Sequence, residues 1–200
     1  MSLINKNIPV QGFEVVRDLT GAVLQTELSN QKTLKNLTDD INVYIGRTTP
    51  FQQSEKLMIN VLLDSANYSN NHQKGTHGYT LFFIDVYTSA RETEDDTGGK
   101  ISTNKRDFYV GMIRYILQDH HYKTLGLPPG LIMGTAVEGF ETFEPNNSQD
   151  SAFVKVTRLT FAARINESQS LWDGIEIKTI FTSVNLDLTE LGYVYETIIE

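Results

Sequence analysis

The chain has 200 residues and a mass of 22.6 kDa, enough for one domain with a sizeable core and too little for two full ones. Seventeen Lys and Arg stand against twenty-five Asp and Glu, and the resulting net charge of -8 disfavours gripping nucleic-acid phosphates or an anionic membrane surface. The absence of cysteine excludes a disulfide framework, a thiolate zinc site and a cysteine nucleophile.

No internal repeat is visible, and the charge is uneven: residues 167–200 hold seven acids and one base. The first residues lack the apolar core of a signal peptide and no run approaches a membrane span, so synthesis in the cytosol is expected. Phe13, Val16, Leu19 or Thr20, Val23, Leu24 and Leu28 recur at steps of three and four, which predicts an amphipathic helix over about 13–30. Gly21 counts against it by about 1 kcal/mol relative to Ala.

Ile41 to Ile45 alternates and stops before Pro50, the pattern of a half-buried strand. Leu57 to Leu63 and Tyr79 to Tyr87 read as two further strands, the second apolar on both faces and so expected inside the sheet. The polar segment Ser65 to Gly78 between them reads as a loop or a long hairpin end.

From Arg91 to Lys105 the sequence predicts a long loop, with an acidic core of Glu92, Glu94, Asp95 and Asp96. A second helix is expected from about Asp107 to His121, its stripe formed by Phe108, Met112 and Tyr115 or Ile116. Thr135 to Phe143 and Ala152 to Ile165 follow as a hairpin whose turn is Glu144 to Asp150. On its second strand Phe153, Thr157, Leu159, Phe161, Ala163 and Ile165 share a face opposite Val154, Val156, Arg158 and Arg164. A further strand is expected around Ile175 to Val184, before a mixed tail from Leu186 to Glu200.

Strands in groups separated by helices predict an α+β fold: a mainly antiparallel sheet, two helices on one face, and a C-terminal extension. Residues 1–166 form the core on this reading, and 167–200 an acidic extension of the same domain. The two-sided apolar strands require cover for the second face, supplied by a partner subunit or by the extension.

Catalytic and ligand motifs are thin. Gly98-Gly99-Lys100-Ile101 is not a phosphate loop, because Glu94 stands where the first glycine belongs and Ile101 where Ser or Thr belongs. His72 and His77 share a polar loop near Asp64 and Asp85, but their spacing of five fits no regular face. His120 and His121 read as helix-terminal residues whose rings diverge by about 100° and suit the negative end of the dipole. Glu138 and Glu141 lie an odd number of strand positions apart, so they do not form a catalytic pair. No enzyme activity, metal site or cofactor is expected.

The order of elements resembles that of the tail terminator, or tail completion, proteins of tailed phages, and of the related head-tail connector and neck proteins. The likeness covers about residues 13–167: the first helix, the Val43-Tyr44-Ile45-Gly46 strand, strands closing in Phe83-Ile84-Asp85-Val86-Tyr87, the second helix and the long hairpin. The resemblance implies a hexameric ring that caps the tail tube, ends its growth and joins it to the head connector, in a virion assembled in the host cytoplasm. Its partners would be the tube protein and a head-completion or neck protein, with DNA passing through the lumen without specific binding and no membrane involved. Glu92, Glu94, Asp95 and Asp96 are then candidates for the lumen or the tube-facing surface, and Arg158, Arg164 and Phe161 for the subunit interface. Two other readings stay open: a binding module with a pocket lined by Phe82, Phe161 or Trp172, and an enzyme using His72, His77 and nearby acids.

Overall fold

A computed structural model describes residues 10–52, 54–68, 77–94, 96–127, 130–144, 153–167, 179–185 and 192–198. The chain divides into two compact units, Met1–Ser168 and Gln169–Glu200. The first contains α1 (Gly12–Leu34), β1 (Val43–Ile45), β2 (Leu57–Tyr68), β3 (His77–Ala90), α2 (Gly98–Gln118), a 3-10 turn (His120–Tyr122), β4 (Ile132–Phe143) and β5 (Phe153–Asn166). Its five strands form one sheet in the order β1-β2-β3-β5-β4, antiparallel except for the parallel pair β1 and β2. This is the expected α+β architecture. The second unit is a two-stranded antiparallel sheet of β6 (Thr179–Asn185) and β7 (Gly192–Ile198). The first of these falls where a strand is expected; the second occupies the stretch read as a mixed tail.

Both helices cover the sheet face built from Phe82, Ile84 and Val86 of β3 and Leu159, Phe161, Ala163 and Ile165 of β5, all buried. From α1 come Val16, Leu24 and Leu28, the predicted stripe, with Thr20 returning its hydroxyl to the Val16 carbonyl at 2.7 Å. Gly21 has a packing reason. A Cβ there would stand 2.8 Å from Ile45 Cγ1, so the absent side chain lets α1 lie against β1.

The first turn of α1 is held from the far end of the unit. Gln11 N–H donates to Glu14 at 2.9 Å, while Gly12 and Phe13 N–H donate to the two carboxylate oxygens of Glu167 at 3.1 and 2.7 Å. Glu167 is buried, and a charged acceptor at a helix N-terminus satisfies otherwise orphaned donors and meets the positive end of the dipole. The residue that charge alone groups with the acidic extension therefore serves the core.

α2 begins at Gly98, nine residues before the expected start, and the predicted long loop shrinks to residues 91–97. The first half of this helix docks through polar groups: Thr88 and Ser102 exchange hydroxyl-to-carbonyl hydrogen bonds at 2.9 and 3.0 Å, and Arg106 is buried too. Apolar periodicity cannot detect a helix seated in this way. Its buried face is formed by Tyr109, Val110, Ile113, Ile116 and Leu117, so Phe108 and Tyr115 of the predicted stripe are exposed. Asp107 is a mid-helix residue held by Arg106, not a first-turn acid.

The β2–β3 hairpin is long: pairing continues to Tyr68 opposite Gly78, so both described ends of the polar segment read as a possible loop are strand, with a register shift between Leu63 and Ser65. On β4 the register shifts twice, around Met133 and around Glu138. Each inserted residue resets the inside-outside alternation, so Thr135 and Val137 face the helices before the second bulge and Phe140 and Thr142 after it. No helix among the described residues is long and apolar enough to cross a membrane.

Replacing Glu167 with Ala is expected to lower stability by about 1–2 kcal/mol, the range for losing a good N-terminal cap. Urea unfolding followed by circular dichroism measures it. An unchanged midpoint would mean that α1 is held by its apolar face alone.

Candidate functional site

The second face of the sheet carries the densest polar chemistry of the described residues. At its centre Arg158 of β5 sits in register between Asp85 of β3 and Glu141 of β4. Its Nε and a terminal nitrogen donate to the two oxygens of Asp85 at 2.7 and 2.8 Å, a two-pronged pairing, and its guanidinium lies 4.3 Å from the Phe83 ring centroid. Asp85 is 2% exposed, and its hydrogen bonds hold the guanidinium even more firmly charged than usual despite the opposing effect of burial. The pair is an internal anchor, with the remaining exposed part of Arg158 available at the surface.

Part of this face is covered by the β1–β2 connection. Phe51 stacks on Tyr87 with ring centroids 5.5 Å apart, and the Ser89 hydroxyl donates to the Glu55 carbonyl at 2.9 Å. Arg47 secures the connection. It grips Glu55 at 2.7 and 2.9 Å, lies 4.5 Å from the Tyr44 ring centroid and exchanges backbone hydrogen bonds with the Asn60 side chain at 3.0 and 2.9 Å. The Arg47 hydrogen bonds, followed in weight by the Gln52 N–H, hold the Glu55 carboxyl below its ordinary range.

The three residues expected at a subunit interface separate. Phe161 is fully buried against Phe82, 6.3 Å between centroids, so its side chain belongs to the chain's own core. Arg158 is mostly engaged internally, and Arg164 alone is exposed, beside a shallow pocket of about 340 Å³ with Tyr79, Met133 and Ala136. In the acidic loop Glu92 and Glu94 are exposed, Asp96 pairs with Lys100 at 2.6 Å, and Asp95 lies outside the described residues. His72 and Trp172 also lie outside them, and His77 opens β3. Phe82 and Phe161 are both buried in the core, so neither lines an open pocket among the described residues.

Two features escaped the sequence reading. A groove of about 550 Å³ runs between the helices, lined by Phe108, Met112 and Tyr115 of α2, by Glu27 and Gln31 of α1 and by Lys35 just after it. Its signal was the Phe108, Met112 and Tyr115 stripe, which the sequence reading assigned to the core although a second stripe, Tyr109, Val110, Ile113 and Leu117, is the buried one. The second is at the end of α2, where His120 and His121 belong to a separate turn and their rings come together at 3.8 Å between centroids. Asp119 receives the His121 N–H at 2.9 Å and faces Nδ1 of both rings, and these hydrogen bonds, the backbone one foremost, keep its carboxyl low.

Two outcomes test the second face. Arg158→Ala is expected to cost about 2 kcal/mol or more, less than the 3–5 kcal/mol for breaking a fully buried pair because Arg158 is partly exposed. Asp85→Ala combined with Arg158→Met should recover part of the loss in urea unfolding, since no uncompensated charge remains. A carboxyl depressed in the folded state stabilises above its unfolded value, near pH 4.3, and that stabilisation is lost as pH falls through the folded value. Acid unfolding of Glu55→Gln should therefore be less steep than that of the wild type.

No family model matches the chain, and no curated protein matches it. Among solved structures it is similar to a chain from the virion of a native gene transfer agent particle, with a TM-score of 0.42 and 14% identity over 62% of this chain and 78% of that one.

Proposed function

We propose that the chain is a non-enzymatic structural protein of a virion, a tail terminator that forms a ring on the tail tube, ends its polymerisation and joins the tail to the head connector. The observation that carries this reading is the outer edge of the sheet. Along β4 and the start of β5, Met133, Phe140, Phe143 and Phe153 are 62, 54, 44 and 48% exposed. Large apolar side chains exposed along a sheet edge are an association hazard for a lone domain and are covered in an assembled one. The two bulges interrupt the backbone edge, so the partner would cover these side chains and not extend the sheet. Repeating such a contact head to tail closes a ring when the rotation permits.

The order of elements agrees with the terminator resemblance, and the loose likeness to a virion chain is of the same class without carrying the argument. A connector or neck position uses the same edge and is distinguished by the partner it meets. The groove between the helices favours a second reading, a module that binds a peptide or small ligand there. In the terminator reading the acidic loop lines the lumen or meets the tube, and the charge keeps DNA from adhering.

Light scattering of the purified chain, with negative-stain imaging in the presence and absence of isolated tail tubes, tests the proposal. A ring of about six copies, free or on tube ends only, is expected. Met133→Glu with Phe140→Glu should abolish the ring while leaving the melting curve of the protomer intact, because both positions are exposed. A monomer indifferent to tubes would reject the terminator and leave the groove-binding module. Changing Glu92, Glu94, Asp95 and Asp96 to Ser should preserve the ring and alter DNA passage or tube docking; normal infectivity would remove the loop from the site.

A further inference from the structure

α2 ends at Gln118, and Asp119 leaves the helix with φ -61° and ψ 140° before the chain turns again at His120. On an unbroken helix adjacent side chains diverge by about 100°. Here the two rings nevertheless meet, with centroids 3.8 Å apart. Nδ1 of His120 lies 3.3 Å and Nδ1 of His121 2.7 Å from the same oxygen of Asp119. One ligand atom from each of the three residues lies within 4.8 Å of the others.

We propose that Asp119, His120 and His121 form a surface site for a divalent transition-metal ion. Bonds of about 2.0–2.2 Å to nitrogen and oxygen place the ligand atoms of a tetrahedral ion roughly 3.3–3.5 Å apart. The His120 contact already has that spacing, and a small rotation of the His121 ring gives it to the second. The carboxylate is oriented in advance by the His121 N–H, which donates to it at 2.9 Å. Two imidazoles with one carboxylate suit zinc, nickel or copper, whereas magnesium and calcium require an oxygen-rich shell. The ordinary work of a terminal histidine is to donate to the last helix carbonyls. Here the ring contacts go to Asp119 instead. Both rings are largely exposed, which leaves the remaining coordination positions to water or to a group from another molecule.

Calorimetric titration of the full chain with ZnCl₂, repeated with MgCl₂, tests the site. One zinc ion per chain is expected here, and no comparable heat from magnesium. His120→Ala and His121→Ala should each weaken zinc binding by roughly tenfold or more, at least what losing an outer-shell partner costs a metal site. Cu²⁺ bound to the wild type should show nitrogen hyperfine coupling in its electron paramagnetic resonance spectrum, and the double variant should lose it. Because the rings are exposed, the double variant should melt like the wild type without metal, separating loss of the site from loss of the fold. No zinc uptake by the wild type, or equal uptake by the double variant through groups such as His72 and His77, would overturn the proposal. The site is independent of ring formation, so either can fail alone.

Discussion

A carboxylate that is 2% exposed is tolerable only when donors satisfy it, and Asp85 obtains two from one residue directly opposite on the neighbouring strand, Arg158. That requirement pins β3 against β5. A slip of one residue would send the charge into the helix-covered core and bring Leu159 and Phe161 out to the second face. With β5 fixed, β4 follows on one side and β2 on the other, and the apolar face under the two helices is determined. The ion pair thus contributes specificity of register more than net stability, consistent with the large desolvation cost of buried charges.

The sequence made the period-two face of β5 legible residue by residue, and the order of elements in the core with it. The stripe of α1 was legible for the same reason: its contacts with the sheet are apolar. The start of α2 was not, because Ser102 docks by hydrogen bonds to Thr88 and Arg106 is a buried charged residue, and neither leaves a hydrophobic signature. Phe108 and Tyr115 were misassigned because α2 carries two apolar stripes and periodicity alone does not choose between them. Bulges at Met133 and Glu138 were invisible too, since an inserted strand residue has no composition of its own. For the candidate site, Arg158 was singled out but its partner Asp85 was not, as pairing across strands depends on register. Phe161 was misread as interface because a strand covered on both faces does not reveal which cover is the protein's own.

The surface divides into regions with different physical demands. The acidic turn before α2 is small and polar, and its Asp96 backbone is tied to Thr93 by hydrogen bonds of 3.0 to 3.3 Å. The groove between the helices and the edge along β4 instead present aromatic area. Polar surface remains solvated without a partner, whereas apolar area of this kind gains by being covered. Association would therefore begin at the groove or the edge, with the acidic turn deciding which charged neighbours are kept away.

Glu167 and the first turn of α1 are separated by 155 residues in sequence. During synthesis the helix leaves the ribosome long before the carboxylate that completes its first turn, and β5 must be laid into the sheet before the two can meet. The element made first is thus among the last to be finished, and its amides stay open to water or to other carboxylates for most of translation. A nascent chain truncated anywhere before residue 167 would lack the carboxylate that closes the first turn of α1.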